Sequence, residues 1–262
     1  MARSARRPPA QDPVAELVEL ARDLDLTTVA AILPQVLEQT AKEATSYSSF
    51  ALLLLAAESK ARWERRLERS LRRSHLGSVE GLDGFDFSLR PDLHERVVRE
   101  LLACEWVRNK RNVLCLGKPG LGKTRVAKAI VHAACLAGHS TLSTTAVEMI
   151  EHLHASHADG TFRRALRRYT KPAVLLLDEF GFPGSFDAEA TSYLFRVISA
   201  RHKQGAIVIT ANVGFSKWKT LFPSEAHAVA TVDRLVDGAS ILRFAGKTFR
   251  APKEIVGAPL DD

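Results

Sequence analysis

Gly117-Lys118-Pro119-Gly120-Leu121-Gly122-Lys123-Thr124 lies between an apolar run, Asn112 to Leu116, and a helical pattern, Arg125 to Leu136. It fits the spacing G-x-x-x-x-G-K-[ST], in the strand-then-helix setting that a phosphate-binding loop requires. Glycines suit this loop because the backbone must wrap round a polyphosphate and aim successive N–H groups at its oxygens, where side chains would not fit. The helix that follows adds the positive end of its dipole. The expected nucleotide-binding set is therefore Gly117, Lys118, Pro119, Gly120, Leu121, Gly122, Lys123 and Thr124, with Arg125 next to it. Lys123 is placed for the β and γ phosphates of ATP, and the Thr124 hydroxyl for Mg²⁺.

Working outward, Ala173-Val174-Leu175-Leu176-Leu177-Asp178-Glu179 is a short apolar run that ends in two acids. A strand buried on both faces reads as continuous apolar sequence, and ligands of an open α/β sheet lie at the carboxyl ends of its strands. Asp178 is thus expected to hold Mg²⁺ through its water shell, and Glu179 to polarise the attacking water. A further buried strand, Gly205 to Thr210, ends at Ala211-Asn212. An amide at that tip is placed to touch both the γ-phosphate and the water.

The chain of 262 residues has room for one α/β domain and something smaller. It is 46% hydrophobic and 26% charged, as in an ordinary globular protein, and its net charge of +7 permits a polyanionic partner. Cys104, Cys115 and Cys135 are too far apart for a C-x-x-C metal or redox pair and read as small buried apolar residues in a reducing compartment. Met1 to Pro13 reads as a loose basic tail without the apolar core of a secretion signal, and Phe50 to Ala57 is too short to cross a bilayer, so no membrane partner and a cytoplasmic location are expected.

Residues 14–76 read as a helical domain for oligomerisation or DNA contact. Val14, Leu17, Val18, Ala21 and Leu24 share one face, Pro34 opens a second helix, and a third starts after Ser48 or Ser49. At 100° per residue, Arg62, Arg65, Arg66, Arg69, Arg72 and Arg73 fall in one arc of that third helix. The arc is either a solvated face or a stripe contacting phosphates, with Arg62, Arg66 and Arg69 as its DNA candidates. Residues 77–91, rich in Gly and Asp, read as a linker that Phe85 and Phe87 pin to the next domain, close to where adenine could sit. Asp92 to Arg108 reads as one helix. Thr145-Ala146-Val147-Glu148 has capping-box spacing. Thr161 to Tyr169 is a short helix with Phe162, Ala165, Leu166 and Tyr169 on one face and Arg163, Arg164, Arg167 and Arg168 on the other, a stronger candidate for DNA phosphates.

This ordered set resembles the AAA+ ATPases, and more narrowly the IstB-type transposition helpers of insertion sequences, relatives of the DnaC helicase loaders. The resemblance runs from about Thr40 to Arg250 and rests on Phe85-Asp86-Phe87, the phosphate loop, Leu176 to Phe182, Leu194 to Arg201, Thr210-Ala211-Asn212, Phe215-Ser216-Lys217-Trp218 and Asp233-Arg234-Leu235. It implies an α/β fold: an AAA+ domain over 92–250 with a five-stranded parallel sheet, the phosphate loop on a central strand and no C-terminal lid, between the helical domain and a tail at 251–262. It implies an oligomer with ATP at subunit boundaries, Asn212 as sensor, and Arg234 as the arginine finger, with Arg201 as the alternative. The implied activity is DNA-stimulated ATP hydrolysis by a helper that assembles on duplex DNA and recruits the transposase of its insertion sequence. A helicase loader uses the same engine for another client, and a preference for single-stranded DNA would mark it. The sequence departs from the family at Lys118, where Pro is usual, at Phe180 and Phe182 for Leu and Tyr, and at Ala211, which lacks the usual hydroxyl.

Overall fold

Two units divide the chain, Met1–Arg69 and Ser70–Asp262. The computed structural model describes residues 12–43, 45–181, 186–214, 218, 221–223, 225–246 and 248. Phe182, Phe215, Ser216 and Lys217 of the family motifs lie outside these residues, as do the tail at 251–262 and all but the last two residues of the basic tail.

The first unit begins with α1, Pro13–Asp23, so the helix takes up the last residue assigned to the tail. Pro13 occupies the first turn, where its missing N–H costs nothing, and the Asp12 carboxylate accepts from Val14 N at 2.9 Å. Pro34 does not open a helix; it lies inside α2, Thr27–Lys42. A mid-helix proline costs about 3 kcal/mol. Burial of Val29, Ala30 and Leu33 along one face offsets this, each fully shielded large side chain contributing about 1.5–3 kcal/mol. The third helix, α3, spans Tyr47–Ser74, starting two or three residues earlier than Ser48 or Ser49 as cap would give. Ser46 supplies the cap, its Oγ accepting from Ser49 N at 3.2 Å.

The second unit starts within the last turn of α3, and the segment read as a linker belongs to its core. Leu76 and Phe85 pack in one cluster with Val113 and Cys115 of the first strand. The helix expected over Asp92 to Arg108 is broken into α4, Glu95–Leu102, and α5, Glu105–Arg108, by Cys104 in the left-handed conformation (φ 63°). The Trp106 indole donates to Leu101 O at 2.8 Å across the break. The bend lets Leu101 and Trp106 both be buried, which a straight helix would not.

The rest alternates strand and helix: β1 Val113–Gly117, α6 Lys123–Leu136, β2 Thr141–Thr145, α7 Ala146–Ala158, α8 Phe162–Thr170, β3 Val174–Asp178, α9 Ala188–Arg201, β4 Ala206–Ala211, α10 Glu225–Val236 and β5 Ser240–Phe244. All pairings are parallel, in the order β2-β3-β4-β1-β5. The strand bearing the phosphate loop is thus interior, though β4 holds the middle place. Along β3 the side chains alternate between two cores. Leu175 and Leu177 join Met149, Leu194 and Val197, whereas Val174 and Leu176 join Val126 and Ile130 of α6. Helices cover both faces, which is why the run reads as unbroken apolar sequence. The capping box at α7 forms as expected, with Thr145 and Glu148 exchanging bonds at 3.1 and 3.0 Å. The three cysteines are free and buried. Among the described residues, no helix is long and apolar enough to cross a membrane.

Candidate nucleotide-binding site

At the carboxyl end of β1 the backbone turns through the phosphate loop into α6. Gly117 is required by a close approach: a Cβ there would stand 2.2 Å from Phe244 O on β5. Gly122 sits at the α6 N-cap with φ 88°, a conformation that L side chains rarely adopt. The helix therefore starts at Lys123 with its first N–H groups directed at the loop's concavity. Lys123 is only 6% exposed, and its ammonium donates to Lys118 O at 2.8 Å. A cleft of about 450 Å³ opens here. Gly120, Lys123, Thr124, Arg125, Glu179, Thr210 and Asn212 are among its lining, so the loop after β1, α6, the residue that follows β3 and the end of β4 all contribute.

The acids at the tip of β3 are set by β4. Thr124 Oγ1 donates to Asp178 Oδ1 at 3.0 Å, and the same oxygen accepts from Thr210 Oγ1. Glu179 is held in the left-handed region (φ 55°), an arrangement that costs on the order of 1–3 kcal/mol and needs support. Thr210 provides it, accepting from Glu179 N through Oγ1 at 3.0 Å and from Phe180 N through its carbonyl at 2.8 Å. Thr210 thus orients both acids, a role its place in an apolar strand did not reveal. The missing hydroxyl at Ala211 matters little to the acid pair, because Ala211 is buried in the sheet and its neighbour supplies the contact.

Arg125 lies along the same wall with its guanidinium largely committed to the former linker. It donates to Gly81 O at 2.9 and 2.8 Å and to Asp83 O at 2.8 Å, and lies 5.8 Å from the Phe85 ring centroid. Phe85 also lines the cleft. Arg90, which the sequence did not single out, is 1% exposed and donates to Leu121 O at 3.0 Å, bracing the loop from behind.

The donor set fits a magnesium nucleoside triphosphate: a glycine cradle that a Cβ would fill, a helix N-terminus, one buried lysine, and a hydroxyl already paired with a carboxylate. Thr124 and Asp178 are the residues that would hold Mg²⁺, which would supply positive charge to the phosphate groups when bound. Glu179 and Asn212 both line the same cleft.

A family model described as IstB-like ATP binding protein matches residues 19–255. The chain belongs to that family. This IstB-like chain is 32% identical over 232 residues to a protein named as the ATP-binding protein of insertion sequence IS5376 from Geobacillus stearothermophilus, covering 88% of this chain and 92% of that one. It is 32% identical over 235 residues to the corresponding protein of insertion sequence IS21 from Pseudomonas aeruginosa, covering 90% and 88%. Domain III of the Thermotoga maritima replication initiation protein DnaA has the same fold, with a TM-score of 0.51, 19% identity, and coverage of 64% of this chain and 69% of that one.

The two candidate fingers of the IstB-like chain differ sharply. Arg201 is fully buried, and its guanidinium donates to the carbonyls of Tyr169, Pro172, Ala173 and Ala206 at 2.6–3.2 Å. Burial lowers its pKa to about 10. It staples the approach to β3 to β4 and has no route to a neighbour's site, so it is no finger. Arg234 on α10 is half-buried, donates to Ala230 O at 2.7 Å and lies 4.9 Å from the Phe195 ring centroid. It does not line its own chain's cleft, and Asp237, a potential partner, is taken by His202 at 2.9 Å and Lys203 at 3.4 Å. Asn112 anchors the end of α10, donating to Leu235 O at 3.0 Å while accepting from Ile207 N at 2.9 Å.

The arginine faces also separate. On α8, Arg163, Arg164, Arg167 and Arg168 are exposed while Ala165 and Tyr169 are buried, the two-faced helix that the spacing predicts. On α3, Arg62 is committed to the fold: it donates to the buried Glu58 at 2.9 Å and to Asp25 O at 3.0 Å. Arg65 bonds Glu58 at 3.1 Å and Thr27 at 3.0 Å. Arg62 is thus engaged in an ion pair within the fold while half of its side chain stays exposed, and Arg66 and Arg69 are exposed on the same helix.

Proposed function

We propose that this IstB-like chain is an ATPase that assembles on duplex DNA as a homo-oligomer, recruits and stimulates the transposase of its own insertion sequence, and leaves the DNA when ATP is hydrolysed. The observation that carries this reading is the Asp178-Glu179 pair, fixed by Thr210 and Thr124 across the cleft from Lys123. A module that only bound nucleotide would have no need of a strained glutamate facing the γ-phosphate position. Lys123 exchanges the Lys118 carbonyl for phosphate oxygens, Glu179 draws a proton from the attacking water, and Asn212 holds that water in line. Arg234, which is not among the residues lining its own cleft, supplies positive charge to a neighbour's transferring phosphoryl group, a contribution worth on the order of 10³–10⁵ in rate in related enzymes. ATP then favours the assembled state, because the finger acts only across a subunit boundary. The exposed arginines of α8 meet DNA phosphates with little regard to base sequence.

The test is Glu179→Gln in the full chain. Turnover is expected to fall about 10²-fold or more, with ATP binding retained and the protein held on duplex DNA for as long as ATP is present. DNA affinity of this variant that is the same with and without ATP would overturn the reading. Turnover per chain that is flat across protein concentration would remove the role of Arg234.

A further inference from the structure

A second cleft, of about 520 Å³, opens at the carboxyl ends of β2 and β3, on the other side of Asp178 from the phosphate loop. Its walls come from α6, α7 and α8, and its lining includes His75, Lys128, Glu148, His152, Arg168 and Asp178. Asp178 apart, the hydrolysis scheme uses none of these residues.

Its charges are unevenly matched. Both carboxylates are already served by donors of the protein. Glu148 accepts from Thr144 Oγ1 at 3.1 Å and from Thr145 N at 3.0 Å, which holds its pKa below the usual carboxylate range, and Asp178 accepts from Thr124 and Thr210. The cations are not so served. Lys128 lies one turn beyond Thr124 on the same side of α6, is half-buried, and among the described residues its ammonium has neither a carboxylate nor a carbonyl partner. Among the described residues the Arg168 guanidinium hydrogen-bonds the His75 ring, Nη2 to Nε2 at 3.4 Å, and His152 Nδ1 shares a 2.7 Å hydrogen bond with Tyr169 Oη. A half-buried lysine without a counter-ion in a polar cleft stays hydrated and is open to pairing with a visiting anion. Arg168 also belongs to the exposed arginine face of α8, so the cleft is continuous with the surface assigned to DNA.

We propose that this cleft is a subsite for one phosphodiester group of the bound nucleic acid, with Lys128 as its inner cation and Arg168 at its mouth. The proposal rests on the DNA-binding reading and adds to it a fixed point at which the backbone enters the protein, next to the acid that serves the ATP site. Binding at the exposed arginines is diffuse; binding at Lys128 requires the backbone to sit in one register.

The experiment measures duplex affinity of the full chain against salt concentration, in the presence of a non-hydrolysable ATP analogue. Lys128→Gln is expected to weaken binding roughly tenfold and to flatten the slope of log K against log salt by about 0.9, the loss of one phosphate contact. Lys128→Arg is expected to restore both, and melting temperature and nucleotide affinity to stay at the wild-type values in each variant. Inorganic phosphate at constant ionic strength should not compete with the duplex; competition at millimolar phosphate would make the site one for free anions and overturn the proposal. An unchanged slope in Lys128→Gln, while wild type binds DNA, would also overturn it and leave the DNA-binding reading standing. Wild type that fails to bind duplex under any nucleotide condition would sink that reading, and this one with it. Loss of melting temperature along with affinity in Lys128→Gln, not rescued by Lys128→Arg, would assign the lysine a structural role instead.

Discussion

Two helices carry dense arginine runs, and they put the charge to different uses. On α3, Arg62 and Arg65 converge on Glu58, which is 3% exposed and accepts from Thr28 N at 2.8 Å and Val29 N at 3.2 Å. Leu26 offers α2 no side-chain cap, so a carboxylate some thirty residues away caps that helix, and the arginines balance it. On α8, Arg163, Arg164 and Arg167 are exposed and make no ion-pair contact with an acid among the described residues, although the charge of Arg164 helps to lower the pKa of Asp159. A positive run therefore says little until its acids are located. One set of charges is part of the fold; the other is available to a ligand.

That contrast can be broken most directly on α8. Replacing Arg163, Arg164 and Arg167 together by Gln is expected to flatten the salt slope of duplex binding by about 2.7 and to cost several hundred-fold in affinity near 0.1 M salt, with no change in melting temperature. Equal affinity in fluorescence anisotropy would show that α8 is only a solvated face. The next effect lies on α3. Glu58→Gln leaves two guanidinium groups without their shared anion and weakens the cap, and is expected to destabilise the first unit by roughly 2 kcal/mol. The same contact predicts an acid response. Burial alone would raise the Glu58 pKa, but hydrogen bonds from Arg62 and from the Val29 and Thr28 amides overcome it and lower the value from 4.5 to about 2. The folded form thus binds this proton less readily than the unfolded chain. Its stabilisation is complete above pH 4.5 and is lost as pH falls from 4.5 towards 2. Urea melts of wild type should weaken across that window, and those of Glu58→Gln much less. The smallest effect is that of Arg62→Gln. Half of its side chain is exposed, so a loss of about 1 kcal/mol or less is expected, with an unchanged salt slope for DNA. A slope that fell by one contact would return Arg62 to the DNA surface.

Much of the fold was open to reading because its signals are local. Leu175 to Leu177 are apolar in succession because helices cover both sides of β3, and the loop glycines are there because the backbone leaves no room for a Cβ. Where local signals misled, packing outweighed them. Pro34 stays inside a helix because Val29, Ala30 and Leu33 are buried on one side of it, and Cys104 breaks a helix so that Leu101 and Trp106 can both reach the core.

By itself the sequence determined the phosphate loop, the acid pair and the strands that carry them, because each depends on residues adjacent along the chain or on the period of one element. Only the tertiary structure decided which hydroxyl holds Asp178 and Glu179, which carboxylate claims Arg62, that Arg201 is a buried staple, and that Lys128 faces a second cleft. Those pairings join positions far apart in the chain. Their energies depend on distance and burial in space, and periodicity records neither.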